Sequence, residues 1–211
     1  MLSEFKNNFR KTFDPLIRFC VRLGLNPNHL TTLSLFLSIW SAYQFAFGSI
    51  RIAALILLVG GLFDMIDGEV ARASNRVTRF GALYDSTLDR YSEIFIFLGM
   101  GYHFVRLQIV SPQFTPILAL FIVLAMAGSI MVSYVRARAE GLDFQCKIGF
   151  LQRPERVVLV GVGALISNWT LIFVIFFIAF FANYTAIQRI IYIYKTENAA
   201  KWDKLQNAGH D

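Results

Sequence analysis

The chain has 211 residues, of which 56% are hydrophobic and only 16% are charged, and its formal net charge is +6. With 21 phenylalanines and a mean hydropathy of +0.53, it is too apolar for an ordinary soluble domain of this length. The composition therefore favours a single integral membrane domain over residues 1–211. The two cysteines, Cys20 and Cys146, have neither a disulfide nor a metal-site spacing.

The first element in chain order is a predicted amphipathic helix over residues 3–23. Phe5, Phe9, Phe13 and Ile17 recur every four residues, and basic side chains lie between them. Such a helix is typical of a segment that lies on the inner leaflet, although a plain juxtamembrane anchor without a chemical role fits the pattern equally. The stretch NPNHLT that follows contains a proline and two asparagines, which end one helix and cap the next.

Six apolar segments follow, and each is a candidate transmembrane helix. They lie near residues 30–50, 51–70, 81–108, 114–138, 155–168 and 168–193. The predicted fold class is thus an all-α integral membrane protein, with six transmembrane helices and an N-terminal amphipathic juxtamembrane helix. The helices form one bundle over residues 30–193, and residues 194–211 form a cytoplasmic tail.

The positive charges of the chain are strongly one-sided. Among the 20 Lys and Arg residues, all but Arg51, Arg90 and Arg106 fall near the termini, between the second and third spans, or around the link between the fourth and fifth. The positive-inside rule therefore predicts that both termini and the link between the second and third spans face the cytoplasm, which requires an even number of spans. We expect a multi-pass protein of the cell (inner) membrane, in contact with membrane lipids. This topology explains the net charge without any nucleic-acid partner.

Four aspartates interrupt the apolar runs at the second and third spans: Asp64, Asp67, Asp85 and Asp89. Steps of three and four residues place the first two on one helix face and the last two on a stripe of the next helix. The short polar link at residues 73–80 makes the two helices antiparallel neighbours. We therefore expect the four carboxylates to converge at the cytoplasmic ends of both helices.

These converging carboxylates predict a divalent metal site. A charge at membrane depth costs at least about 2.5–3 kcal/mol on insertion scales, and mutual repulsion would drive some carboxylates to protonate. A hard cation bound by Asp64, Asp67, Asp85 and Asp89 removes both problems. An oxygen-only ligand set suits Mg²⁺, Mn²⁺ or Ca²⁺ and disfavours zinc or copper.

Eight residues at set spacing carry a resemblance to a known family. The pattern Asp-x2-Asp-Gly-x2-Ala-Arg-x8-Gly-x3-Asp-x3-Asp runs from Asp64 to Asp89. It resembles the signature of the CDP-alcohol phosphotransferase family at every fixed position. The resemblance implies a homodimeric membrane enzyme of phospholipid biosynthesis that depends on Mg²⁺ or Mn²⁺. In such an enzyme an alcohol displaces CMP from a CDP-linked lipid, usually CDP-diacylglycerol.

The resemblance also implies roles for particular residues. Asp89, the last of the four aspartates, is expected to act as the catalytic base that takes the proton of the alcohol. The CDP-lipid would be bound by residues of the signature and at the head of the first span. These are Asn28, His29, Leu30, Thr31, Asp64, Asp67, Gly68, Ala71, Arg72, Thr78, Gly81 and Asp85.

A second stretch, from Ser133 to Val160, concerns the alcohol. Its SYVRARAE and RPER segments are similar to those of prokaryotic phosphatidylinositol phosphate synthases, as is the QR pair at Gln188 and Arg189. The resemblance implies that inositol 1-phosphate is the acceptor and that cationic side chains bind its phosphate: Arg136, Arg153, Arg156 and Arg189. This chain departs from the subfamily at Arg136, where the subfamily usually has lysine, and the two differ in geometry.

Several alternatives stay open on the sequence. Within the family, the chain could be a phosphatidylglycerol phosphate synthase, or it could use an archaeal ether lipid or a sphingolipid-type donor. From another class, acidic transmembrane helices also occur in divalent-cation transporters, whose sites lie near the membrane midplane. A catalytically inactive lipid-binding relative is the third option, and the intact set of four aspartates argues against it.

Overall fold

The structure, a computed structural model, describes residues 13–146 and 148–208, with side chains for residues 13–146 and 148–198. In this part of the chain every regular element is a helix. The first, α1, covers residues 13–22. It is followed by α2 (Pro27–Phe47), α3 (Ile50–Ala73), α4 (Arg79–Leu107), α5 (Thr115–Glu140), α6 (Arg153–Ile166) and α7 (Asn168–Ala208). The all-α prediction is therefore confirmed.

Local sequence explains where the helices begin. Asn26 precedes α2 and accepts a hydrogen bond from the backbone N–H of Asn28 at 3.1 Å, with Pro27 in the first turn. Thr78 caps α4, because its hydroxyl oxygen accepts from the backbone N–H of Gly81 at 2.9 Å. In α6 the carboxylate of Glu155 accepts from the backbone N–H of Gln152 at 2.7 Å.

Side-chain contacts show in which direction each long helix runs relative to its neighbours. Ser34 contacts Gly60 and Ser41 contacts Ala53, so α2 and α3 are antiparallel. Thr32 contacts Tyr84 and Phe45 contacts His103, so α2 and α4 are parallel. Contacts of the same kind show that α5 is parallel to α7 and that α6 is antiparallel to both α3 and α7. Hence α2, α4 and α6 run one way and α3, α5 and α7 run the other way.

The apolar core lies between these six helices, and many large apolar side chains remain on the outside. Within the described residues, three helices are long and apolar enough to cross a membrane: Pro27–Phe47, Thr115–Glu140 and the segment Asn168–Asn198 of α7. The other long helices, α3 and α4, carry the aspartates, and α6 has only 14 residues. The apolar surface and these three helices indicate an integral membrane protein.

The first and last elements differ in detail from the expectations. In α1, Ile17 and Cys20 are buried against Leu30, Ile66 and Val70, while Phe19 is exposed. The packed face of α1 therefore includes Cys20, which its spacing in the sequence did not suggest. At the other end, α7 continues to residue 208, so helical backbone extends through most of the predicted tail. Phe5 and Phe9 and the basic residues Lys6, Arg10, Lys11 and Lys147 lie outside the described residues.

Candidate active site

Three of the four aspartates form one cluster. Asp64, Asp67 and Asp85 each offer a carboxylate oxygen, and these oxygens lie within 4.8 Å of one another. The first two come from the C-terminal half of α3 and the third from the second turn of α4, as the spacing and the short link predict. Three like charges this close repel one another strongly unless a cation or a proton is shared among them.

The cluster is fixed in place by a neighbouring helix. Asp67 is buried, and the hydroxyl of Thr31 on α2 donates to its Oδ2 at 2.6 Å. Hydrogen bonds to a carboxylate are among the strong ones, so this contact holds the orientation of Asp67 toward its neighbours. Thr31 was predicted as a contact of the CDP-lipid. In the structure its hydroxyl also orients Asp67.

The fourth aspartate lies beside the cluster and has an arginine as its partner. Nη1 of Arg153 forms an ion pair with Oδ2 of Asp64 and lies 3.0 Å from Oδ1 of Asp89. Arg153 begins α6, which the bundle packs antiparallel against α3. Its guanidinium thus bridges an aspartate of the three-residue cluster and the aspartate predicted as the base.

A cavity of about 160 Å³ opens on one side of the cluster. Its wall contains most of the residues predicted to contact the CDP-lipid: Asn28, Thr31, Asp67, Gly68, Ala71, Arg72, Thr78, Gly81 and Asp85. The predicted His29, Leu30 and Asp64 are not among its lining residues. Leu30 is buried in the core with Ile17 and Ile66. Two consecutive helical residues point in different directions, which explains why the block 28–31 contributes only its first and last members.

Glycine makes room at two points of this cavity. The guanidinium of Arg72 lies over Gly68, where an added Cβ would be 3.4 Å from Nη2 of that arginine. At Gly81 an added Cβ would be 2.9 Å from Oγ1 of Thr78 and 3.3 Å from Oδ1 of Asn28. Thr78, which caps α4, and Asn28 can therefore approach α4 this closely only because Gly81 has no side chain.

A second cavity, of about 660 Å³, lies on the other side of the carboxylates. It is lined by Asp85, Asp89 and three of the arginines predicted for the acceptor phosphate, namely Arg136, Arg153 and Arg189. Asp85 and Ala82 belong to the walls of both cavities. The two cavities therefore meet at the carboxylates, one bounded by the signature residues and the other by cationic side chains.

The fourth predicted arginine, Arg156, is not among the lining residues of this cavity. It is only 2% exposed, and Nε and Nη2 donate to Oε1 of Glu93 at 2.9 and 2.6 Å. Its Nη1 donates to the backbone oxygen of Leu151 at 2.8 Å. This guanidinium is engaged inside the bundle and holds the segment that precedes α6, so a direct contact of Arg156 with the acceptor phosphate stays a prediction.

The three arginines that do line the cavity differ in their other contacts. Arg136 is half exposed and pairs with Glu140 at 2.8 Å, one helical turn away. Arg189 donates through Nε to the backbone oxygen of Ile148 at 2.8 Å and through Nη1 to that of Val132. Arg189 thus both faces the cavity and fixes the segment before α6, whereas Arg136 is free to turn toward a ligand.

Two residues of this region were missed by sequence reasoning. Glu93 is buried beneath Asp89, and its position continues the Gly81, Asp85, Asp89 stripe by one more step of four, which is the signal that could have identified it. Arg76 lines the first cavity and donates to the backbone oxygen of Gly24 at 3.1 Å. Its place in the link between α3 and α4 gave no comparable periodic signal.

The donor set fits a hard divalent cation. The cluster offers carboxylate oxygens alone, which is the ligand type that Mg²⁺, Mn²⁺ and Ca²⁺ prefer. It lies in the half of the bundle that contains the C-terminal half of α3 and the first turns of α4, and two cavities open beside it. A transporter site would instead lie near the middle of the helices, with a path to both faces.

Comparisons with known proteins agree with this geometry. Residues 25–196 match the CDP-alcohol phosphatidyltransferase family. The archaetidylinositol phosphate synthase of Methanothermobacter thermautotrophicus is 34% identical over 199 residues, which are 92% of this chain and 95% of that protein. The phosphatidylinositol phosphate synthase of Mycobacterium tuberculosis is 33% identical over 162 residues, which are 76% of this chain and 72% of that protein.

Solved structures of the Mycobacterium tuberculosis enzyme share the fold. The structure with CDP-DAG bound has a TM-score of 0.74 at 30% sequence identity, and the match covers 85% of this chain and 92% of that one. The structure in complex with manganese and citrate has a TM-score of 0.75 at 30% identity, with 85% and 88% covered. The family match extends over most of the chain and contains the aspartate cluster together with both cavities. The chain therefore belongs to the CDP-alcohol phosphatidyltransferase family, whose members are divalent-metal-dependent membrane enzymes.

Proposed function

We propose that this protein transfers a phosphatidyl group from CDP-diacylglycerol to inositol 1-phosphate, giving phosphatidylinositol phosphate and CMP. The observation that carries the proposal is the meeting of two cavities at Asp85. One cavity is lined by the family signature and suits a CDP-lipid, and the other is lined by arginines and suits an anionic alcohol. The names of the similar enzymes, which include phosphatidylinositol phosphate synthases, support the same acceptor.

On the donor side, we assign the CDP moiety to the smaller cavity. Arg72 is 61% exposed in its side chain and pairs with Glu69 at 2.8 Å, so it can exchange this partner for a phosphate of the ligand at low cost. Asn28, Thr78 and the small residues Gly68 and Gly81 would shape the rest of the contact. We assign no contact to His29 or Leu30.

We assign Mg²⁺ or Mn²⁺ to the cluster, with Asp64, Asp67 and Asp85 as ligands and Asp89 at its edge. When bound, such an ion neutralises the pyrophosphate and the charge that develops on the leaving CMP. Thr31 keeps Asp67 oriented, and Asp85 lies where the donor and acceptor cavities join.

On the acceptor side, Arg136 and Arg189 would bind the phosphate of inositol 1-phosphate. Asp89, in the same cavity, would take the proton of the attacking hydroxyl. The oxygen of that hydroxyl forms a bond to the phosphorus that carries diacylglycerol, and the bond from this phosphorus to CMP breaks. Nη1 of Arg153 contacts Oδ1 of Asp89 at 3.0 Å and so holds this carboxylate at the wall of the acceptor cavity.

We further propose six membrane passes, with both termini and the active site on the cytoplasmic side. The alternating directions of α2 to α7 are consistent with six passes, and Arg and Lys residues lie at the end that carries the aspartates. The amphipathic helix over residues 3–23 would lie at the membrane surface, and residues 194–211 would form the cytoplasmic tail. By family resemblance, we expect a homodimer.

An acceptor screen tests the reaction. Purified protein is given CDP-diacylglycerol with inositol 1-phosphate, free inositol, glycerol 3-phosphate or serine, and CMP release is measured. Inositol 1-phosphate should be the best acceptor, and release should stop with EDTA and return with Mg²⁺ or Mn²⁺. Faster release with glycerol 3-phosphate would indicate a phosphatidylglycerol phosphate synthase. Full activity of metal-free protein would exclude the proposed mechanism.

The donor could instead be an ether lipid, and one observation favours this second candidate. Two archaetidylinositol phosphate synthases, from Methanothermobacter thermautotrophicus and Pyrococcus horikoshii, match at 34% and 30% identity and cover at least 90% of this chain. Parallel assays with CDP-diacylglycerol and with its archaeal ether counterpart decide between the donors. The better donor will be the one with the larger kcat/KM at the same inositol 1-phosphate concentration.

A further inference from the structure

Two arginines one helical turn apart on α6 have very different surroundings. Arg156 is satisfied through all three guanidinium nitrogens, by Glu93 and by backbone oxygens of Leu151 and Ser129. Arg153 makes both of its ion pairs through Nη1, and its Nε is buried without a hydrogen-bond partner. A guanidinium has five N–H donors in a fixed fork, so Arg153 is held mainly by charge and not by a complete set of hydrogen bonds.

The position of Arg153 is also one that a cation would occupy. Its Nη1 lies between carboxylate oxygens of Asp64 and Asp89, and Asp64 belongs to the three-carboxylate cluster. A bound divalent ion and the guanidinium of Arg153 would therefore compete for the same carboxylate, that of Asp64. The side chain also has space to leave, because it forms part of the wall of the 660 Å³ cavity.

We propose that Arg153 is an internal counter-ion that competes with the divalent metal for Asp64 and moves away from it when the metal binds. The inference rests on the metal site of the proposed function. It makes Arg153 a residue that sets the metal affinity of the cluster, in addition to its place in the acceptor cavity. Charge-assisted contacts of this kind are strong, and their loss must be offset whenever the metal enters.

Mn²⁺ binding to the full-length protein tests this competition without any turnover. EDTA-treated protein is titrated with Mn²⁺, and free Mn²⁺ is followed by its EPR signal. Arg153→Gln should bind Mn²⁺ about tenfold more tightly than the unsubstituted chain, since charge-assisted bonds to Asp64 no longer have to be broken. Arg153→Lys should fall between the two, because it keeps the charge but loses the fork.

Arg90→Gln is the matched control. It removes the same charge from a residue next to Asp89, but Nη1 of Arg90 lies 3.9 Å from that carboxylate and donates to the backbone oxygen of Ser86. General electrostatics alone would tighten Mn²⁺ binding in both glutamine variants alike. Competition predicts a much larger effect at Arg153, since an exposed or long ion pair is worth little.

The outcomes separate the inference from the function on which it rests. Tighter binding by Arg153→Gln than by Arg90→Gln supports competition. Binding by Arg153→Gln that is equal to or weaker than binding by Arg90→Gln overturns the competition, and Mn²⁺ binding by either variant would leave the metal site itself supported. If none of the proteins binds Mn²⁺, the proposed metal function itself fails. If a variant is destabilised, the increase in Tm on addition of Mn²⁺ is measured instead. This increase should be larger for Arg153→Gln than for the unsubstituted chain.

Discussion

Arg136 and Arg156 are both cations of the same polar region, yet they are expected to contribute to different properties of the protein. Arg156 and Glu93 are 2% and 7% exposed, so neither charge can be solvated once its partner is removed. Arg136 pairs with Glu140 at the surface, where water replaces a lost partner at little cost. The free energy of unfolding should therefore depend on Arg156, and acceptor binding should depend on Arg136.

Substitution of the two arginines separates these roles. Arg156→Ala leaves Glu93 buried and unpaired, which costs about 3–5 kcal/mol and should lower the Tm by several degrees or more. Arg136→Ala should keep the Tm and raise the KM for inositol 1-phosphate about tenfold, because one charge-assisted bond to the phosphate is lost. Melting curves and acceptor kinetics at saturating CDP-diacylglycerol measure both. A lower Tm for Arg136→Ala and a higher KM for Arg156→Ala would instead indicate that Arg156 binds the phosphate.

Thr31 offers a second test at a single residue. Thr31→Val keeps the shape of the side chain and removes the hydroxyl that donates to Asp67 at 2.6 Å. We expect CMP release to fall about tenfold, since the lost bond is to a carboxylate. Thr31→Ser keeps the hydroxyl and is the matched control that should retain most of the rate. Equal rates for the valine and serine variants would show that the orientation of Asp67 does not depend on this bond.

The aspartates and the arginines differ in how far sequence could predict their surroundings. Asp64, Asp67 and Asp85 were predicted together because helical steps and a short link determine which faces meet. The partners of Arg153 and Arg156 depend on how α6 packs against α3 and α4, which no local spacing encodes. Two arginines with the same resemblance to a phosphate site therefore have different contacts, one beside Asp64 and the other beside Glu93.

At the scale of the element, the start of α4 joins helix capping to ligand binding. Thr78 caps the helix through the N–H of Gly81, and the same residues form the wall of the smaller cavity with Asn28 of α2. The parallel packing of α2 and α4 brings both helix starts to the same end of the bundle. The cap is therefore part of the donor site as well as of the fold.

Gly81→Ala tests this connection. An added Cβ would lie 2.9 Å from Oγ1 of Thr78 and 3.3 Å from Oδ1 of Asn28, so the capping side chain or Asn28 must shift. The affinity for a CDP-alcohol should fall several-fold, as measured by titration of the metal-loaded protein. Gly101→Ala is the matched control on the same helix, since its Cβ would meet only Cγ2 of Ile122 at 3.9 Å. Similar affinities for both variants would mean that the cavity tolerates the shift.

Helix positions were predicted more accurately than helix ends. The apolar runs gave six helices in the right order, because periodic burial extends over many residues. The ends differ from the predicted bounds: α3 and α5 continue past their predicted ends, and α7 extends to residue 208. In α1, the packed face contains Phe13 and Ile17 of the predicted four-residue spacing, and contacts with Leu30 and Ile66 add Cys20 to it.

At the scale of the whole molecule, the alternating helix directions and the charge distribution lead to one topology. The links after α3 and α5 lie at the end that carries the aspartates, and the links after α2 and α4 lie at the opposite end. Arg72, Arg76 and Arg79 cluster near the first of these links, as expected of a cytoplasmic face. Six passes and a cytoplasmic active site follow if every one of the six helices crosses the membrane.

Labelling with a membrane-impermeant maleimide tests this topology in cells and in inverted vesicles. Ser111→Cys places a thiol in the exposed link between α4 and α5, and Leu142→Cys places one in the exposed link between α5 and α6. The first should react from the outside of intact cells and the second only in inverted vesicles. Cys20 and Cys146 are 5% and 1% exposed, so the unsubstituted chain supplies a low background. Labelling of both variants from one side would mean that α5 does not cross the membrane, and exchanged accessibility would place the aspartates on the outer face.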